Sequence, residues 1–127
     1  MVWKQEYTGT MKEYEIKRRL FQREIIAKLL ITEQGISVLL TGGDLPHIGA
    51  VSVTRPGGTT DTIEFPGHRE GIVSERWSGQ IAALSHVPAV VQVGIHYDHV
   101  NREQIAAILQ ITDEMLEEVS GSIKQLY

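Results

Sequence analysis

The chain has 127 residues, 42% of them hydrophobic and 22% charged, with a formal net charge of -4 and no cysteine. That length is one domain with a hydrophobic core of its own, and the ordinary composition excludes global disorder. The acidic balance speaks against bulk nucleic-acid binding, while the missing cysteines exclude disulfides, thiol nucleophiles and zinc-thiolate sites and fit a reducing cytoplasm.

Residues 1–12 carry few core signals and are expected at the periphery. They show neither the basic start nor the apolar run of a signal peptide, and no segment approaches the ~20 apolar residues of a membrane span. From Tyr14 the period is two. Tyr14, Ile16 and Leu20 alternate with Glu15, Lys17 and Arg19, which predicts a half-exposed strand. The basic run Lys17-Arg18-Arg19, with Arg23 and Lys28 nearby, suits a solvated face or a protected edge. Ile25, Ala27, Leu29 and Ile31 form the next alternating set, with Ile26 and Leu30 on its other side. Glu33-Gln34-Gly35 reads as a turn, and Ile36-Ser37-Val38-Leu39-Leu40 returns as a third strand of an antiparallel meander.

Gly42-Gly43 ends that strand, residues 48–53 resume as a fourth, and Thr62-Ile63-Glu64-Phe65 makes a short fifth. Between about Glu70 and Ser85, Val73, Trp77, Ile81 and Leu84 fall on one helical stripe. Pro88 closes this helix, and residues 89–95 form a buried strand. Asn101, with Gln104 three residues on, matches a capping box. A long helix follows through Ile105, Ile108, Leu109, Thr112, Leu116 and Val119, with a break expected at Gly121. The predicted fold is a single α+β domain over 1–127: a mainly antiparallel sheet with two helices packed on one face, a strand meander followed by helix-strand-helix. An apolar second face at Ile26, Leu30, Val38 and Leu40 predicts a homodimer.

Three polar segments stand outside this scaffold. In the first, Gly42 and Gly43 can turn the backbone so that N–H groups gather around an anion, with Asp44 and His47 beside them and Gly49 closing the loop. The same residues suit a tight strand connection, and no phosphate-loop signature accompanies them. In the second, Gly67-His68-Arg69-Glu70 precedes the first helix, where unpaired N–H groups and the dipole favour a phosphate; capping of the neighbouring structure is the alternative. In the third, His96, Asp98 and His99 form a candidate metal set or a hydrogen-bonded turn. No nucleophile with a base is legible: Ser74, Ser78 and Ser85 lie in no recognised elbow.

The run Leu39-Leu40-Thr41-Gly42-Gly43-Asp44-Leu45-Pro46-His47-Ile48-Gly49-Ala50-Val51, followed by Gly67-His68-Arg69-Glu70 before a helix, resembles the LpdD-like family of prenylated-flavin chaperones. The resemblance spans the chain from about Glu24 to the last helix. It implies an accessory protein of UbiD-type decarboxylases, whose cofactor is prenylated flavin mononucleotide (FMN), and a fold related to proteasome-assembly chaperones. Gly42, Gly43, Asp44, His47, Gly49, His68 and Glu70 are its motif positions, and Arg69 joins them as a phosphate ligand. Trp77 or Tyr97 would serve the flavin ring, although Trp77 also fits the core. Two other readings stand beside it: a small metal-dependent enzyme built on His47, His68, His96, Asp98 and His99, and an assembly protein without a ligand.

Overall fold

The structure, a computed structural model, describes residues 2–6, 11–67 and 69–127, with side chains described from residue 11 onward. The strands are β1 (Val2–Glu6), β2 (Lys12–Leu20), β3 (Arg23–Thr32), β4 (Gly35–Gly43), β5 (Ala50–Thr54), β6 (Thr60–Glu64) and β7 (Ala89–His96). The helices are α1 (Gly71–Ser85) and α2 (Arg102–Leu126). One sheet contains all seven strands in the order β1-β2-β3-β4-β7-β5-β6. Among the described residues only β4 and β7 run parallel, and the other pairs are antiparallel. The near-continuous apolar run of β7 suits its central place, where neighbours flank it on both sides.

Hairpin geometry sets the register. Thr32 Oγ1 donates to the Gly35 carbonyl at 2.8 Å and accepts from Gln34 N–H at 3.3 Å, fixing the β3–β4 turn with Thr32 opposite Gly35. That pairing puts Leu29 opposite Val38 and Ala27 opposite Leu40, all buried under the helices with Tyr14, Ile16, Val91 and Val93. Val38 and Leu40 therefore do not share a face with Ile26 and Leu30. Those two lie opposite Thr41 and Ser37, so the uncovered face carries Ser37, Leu39 and Thr41 instead. A period of two leaves no freedom here: the two-residue turn decides which residues of β3 and β4 share a face.

Helix α1 buries two stripes. Trp77 and Ile81 enter the apolar core, with Val73 and Leu84 packed at its margin. Ser74 and Ser78 face β5, where Ser52 meets Ser74 at 2.6 Å and Thr54 meets Ser78 at 2.8 Å. Ser85 donates to the Ile81 carbonyl at 2.7 Å. These hydroxyls are buried and hydrogen-bonded to one another or to the backbone. His86 ends α1 in the left-handed region, φ 61°, and its N–H bonds the Ala82 carbonyl.

Helix α2 opens on the capping box: Gln104 N–H donates to Asn101 Oδ1 and Asn101 N–H to Gln104 Oε1, both at 2.8 Å. The expected break at Gly121 does not occur, and α2 continues to Leu126. A single helical glycine costs only about 1 kcal/mol, and the fully buried Ile123 beyond it offsets that cost. Arg76 pairs with Asp113 at 3.2 Å and Gln80 with Ser120 at 2.7 Å, so the two helices run in the same direction over the sheet. Among the described residues no helix is long and apolar enough to cross a membrane.

Candidate functional site

Because β4 and β7 are parallel, both chains leave the sheet at the same edge, with Gly43 opposite His96. Loop residues 44–49 and 97–101 consequently start side by side, the position where open sheets with parallel strands form crevices. Backbone bonds knit them together. Asp44 N–H and Leu45 N–H both point at the His96 carbonyl, at 2.6 and 3.3 Å, and Asp98 N–H donates to Asp44 Oδ2 at 2.9 Å. The loop then folds back along β7, with Gly49 N–H on the Val93 carbonyl at 2.8 Å.

The glycines of this region are needed for close approach. A Cβ on Gly94 would stand 1.7 Å from the His47 carbonyl oxygen, and one on Gly43, at φ 84°, 2.1 Å from that of His96. A Cβ on Gly49 would meet the Glu70 carboxylate at 2.3 Å. Gly42 and Gly43 are strand residues paired within the sheet, so they form no concavity of donors; the N–H groups that follow them are committed to His96.

His47 is held from both sides. Its Nδ1 lies 2.9 Å from the Leu45 carbonyl and its Nε2 2.8 Å from Glu70 Oε1, with both side chains mostly buried. Both ring nitrogens face an oxygen, so the imidazole is fixed in orientation at both ends. Glu70 thus joins the second segment to the first. The His96 ring stands edge-on to His47, centroids 6.4 Å apart, and its Nε2 is 3.0 Å from Asp98 Oδ1. His99 sits in the left-handed region at φ 55° on the exposed turn into α2. Among the described residues no three histidine or acidic side chains converge as metal ligands.

Arg69 is exposed just before α1, and His68 lies outside the described residues. The start of α1 holds a carboxylate already: Gly71 N–H donates to Glu64 Oε2 at 3.0 Å. Sequence reading missed Glu64, which the β5–β6 hairpin sets opposite Ala50 and the following turn brings to the helix start. It also missed the β2–β3 hairpin tip. Phe21 and Gln22 occupy the turn with φ 50° and 65°, and Arg23 bonds Asp44 Oδ1 at 2.9 Å. Nothing in Leu20-Phe21-Gln22-Arg23 announces a turn that ordinarily asks for Asn-Gly.

Neither aromatic expected to serve a ring is open. Trp77 is fully buried, and Tyr97 is buried with its hydroxyl donating to the Leu20 carbonyl at 2.7 Å. Burial, the largest cause, and the nearby Asp44 carboxylate push the Tyr97 phenol above its ordinary value, against an opposing effect of Arg23. Phe21 is exposed and stands edge-on to Tyr97 at 5.7 Å. Leu45, Ile48, Phe65 and Ile72 also expose apolar surface around the His47–Glu70 pair. Its surroundings are amphipathic: a histidine–carboxylate pair, a helix start and the exposed Arg69, bordered by apolar side chains. A concavity of about 330 Å³ lies elsewhere, on the uncovered sheet face.

The profile of the family described as Prenylated flavin chaperone LpdD-like domain matches residues 20–124. Protein LpdD of Lactiplantibacillus plantarum (strain ATCC BAA-793 / NCIMB 8826 / WCFS1) is 28% identical over 98 residues, which cover 73% of this chain and 72% of that protein. The fold is similar to a chain in the crystal structure of a chaperone complex for yeast 20S proteasome assembly, with TM-score 0.61 and 11% identity. That likeness covers 91% of this chain and 99% of the other, and at such identity it is a likeness of fold.

Proposed function

The chain belongs to the prenylated flavin chaperone LpdD-like family, and from that membership we propose an accessory protein that holds or delivers prenylated FMN for a UbiD-type decarboxylase, in the cytoplasm and as a homodimer. The observation that carries the reading is the meeting of residues 43–49, Glu70 and His96 to Asp98 at one end of the parallel strand pair. A flavin phosphate is an anion, a flavin ring is flat and apolar, and a prenyl group is apolar. Arg69 with the first turn of α1 suits the phosphate. Leu45, Ile48, Phe65 and Ile72, together with Phe21 at the hairpin tip, suit the rest. His47 and Glu70 act on this reading as positioning residues, since each is engaged by the other.

Delivery needs a surface for the receiving protein. Ile72 and Leu109 lie one turn before the Arg76–Asp113 pair on their respective helices, 76% and 45% exposed, with Ile105 a further turn back. This apolar strip adjoins the loops, so a decarboxylase docked on it would cover the site.

Replacing His68 and Arg69 with alanine is expected to weaken FMN binding much more than riboflavin binding, because only FMN carries the phosphate. Equal loss for both ligands overturns the phosphate role. Co-expression with the decarboxylase should bring down partner and flavin absorbance together. No flavin retention, with the decarboxylase maturing normally in a deletion strain, overturns the function as a whole.

A further inference from the structure

The sheet has two large faces, and the helices cover one. The other is bordered by residues whose register is fully determined. Across β2, β3, β4, β7, β5 and β6, one row reads Glu13, Leu30, Ser37, Val90, Val53, Asp61. The next row reads Glu15, Lys28, Leu39, Gln92, Val51, Ile63. The third reads Lys17, Ile26, Thr41, Gly94. Among the described residues no helix packs on these rows, and seven of the side chains are Leu, Ile or Val. Strands of 5 to 10 residues at about 3.3 Å rise and about 4.8 Å spacing give this face on the order of 700 Å². A stable interface takes roughly 800 Å² from each partner.

We infer that this face is the homodimer interface, two copies packing sheet on sheet about a two-fold axis that lies along the middle row, across the strands. The inference rests on the two-copy reading proposed above and assigns its surface and its orientation. Three observations select this axis. Glu13 and Lys17 occupy the same strand, one row on either side of the middle row. An axis across the strands therefore sets Glu13 of one copy over Lys17 of the other, twice, and Leu30 over Ile26. In the middle row each residue then faces its own copy, Leu39 on Leu39, and each Lys28 also lies diagonal to Glu15 of the second copy. The concavity of about 330 Å³ over Leu30, Ser37 and Leu39, rimmed by Glu13 and Lys28, receives Ile26 of the second copy. Finally, the loop at His47 crosses this face above Gly94, at one end only. An axis along the strands would press the two loops against each other, whereas the axis across them places each loop over the small side chain of Ser37 and its neighbour Val90.

Size-exclusion chromatography with light scattering, at micromolar concentration, tests the arrangement. The unaltered chain is expected to be a dimer and Leu39→Arg a monomer with an unchanged circular dichroism spectrum. Lys17→Glu should weaken the dimer by about tenfold, and the swapped pair Glu13→Lys/Lys17→Glu should restore it. These two positions stay accessible in the monomer, so the charge series remains readable if Leu39→Arg fails to fold. A dimer indifferent to Leu39→Arg overturns the surface. A dimer weakened by Lys17→Glu but not restored by the swap overturns the direction of the axis. A monomeric unaltered chain overturns the two-copy reading itself, whereas flavin retention by the monomeric variant reads the ligand proposal separately.

Discussion

At the residue scale, the candidate site is organised by what its glycines leave out. Gly94→Ala must push the His47 carbonyl away, since the new Cβ would sit 1.7 Å from it and the neighbour is backbone. Equilibrium unfolding in urea is expected to show a loss of about 2–3 kcal/mol for this variant. Gly79→Ala, in α1 with open space around it, should instead gain about 0.5–1 kcal/mol. Tyr97 makes a second residue-scale prediction. Its phenol is raised above the ordinary value by burial, so the unfolded chain releases its proton first as the pH climbs. Stability contributed by the neutral hydroxyl is whole below about pH 10 and is lost as the pH rises through the higher folded value. Thermal melts between neutral pH and pH 11 should fall more steeply for the natural chain than for Tyr97→Phe. The variant should start lower, having lost the bond to the Leu20 carbonyl.

At the scale of elements, the start of α1 is contested ground. The helix favours an anion there, and Glu64 supplies one from β6. If a flavin phosphate docks at this turn it must displace or sit beside that carboxylate. Glu64→Gln is therefore expected to tighten FMN several-fold, by the ~0.3–1 kcal/mol of a charge at a helix end, and to leave riboflavin unchanged in a fluorescence titration. The β2–β3 hairpin shows the opposite economy, holding Phe21 and Gln22 in a conformation glycine adopts freely. Gln22→Gly should raise stability by roughly 1 kcal/mol in the same urea experiment, through relief of the left-handed backbone. The elements themselves were legible in the sequence: both helices and the meander follow from spacing, and β7 from an apolar run after Pro88. The extent of α2 was not, because a glycine's local preference was outweighed by the burial of Ile123.

At the scale of the molecule, the arrangement has one covered face and one uncovered face, with the candidate site at the edge where β4 and β7 end together. On the proposed reading, loops and helix starts serve the ligand and the decarboxylase and the open sheet serves a second copy, with the loop at His47 at the border of the two. Leu39→Arg is accordingly expected to abolish self-association while leaving flavin retention measurable in the same preparation.

The sequence by itself determined the α+β class, the helix stripes, the capping box and the polar segments at turns, all of which depend on residues close in the chain. It also carried the family resemblance, whose motif lies within one continuous stretch from Leu39 to Val51 and a second at residues 67–70. Tertiary structure alone decided the rest. That Gly43 and Gly94 serve close packing follows from which strand β7 chose as its parallel neighbour. That Glu70 meets His47 follows from a loop folded back along β7, and that Glu64 meets α1 from the register of the β5–β6 hairpin. That Val38 and Leu40 share a face with Leu29 and Ala27, and Leu39 with Lys28, follows from the register of a two-residue turn. A pattern of period two names two faces but does not say which one the helices will cover; only the packed fold breaks that symmetry.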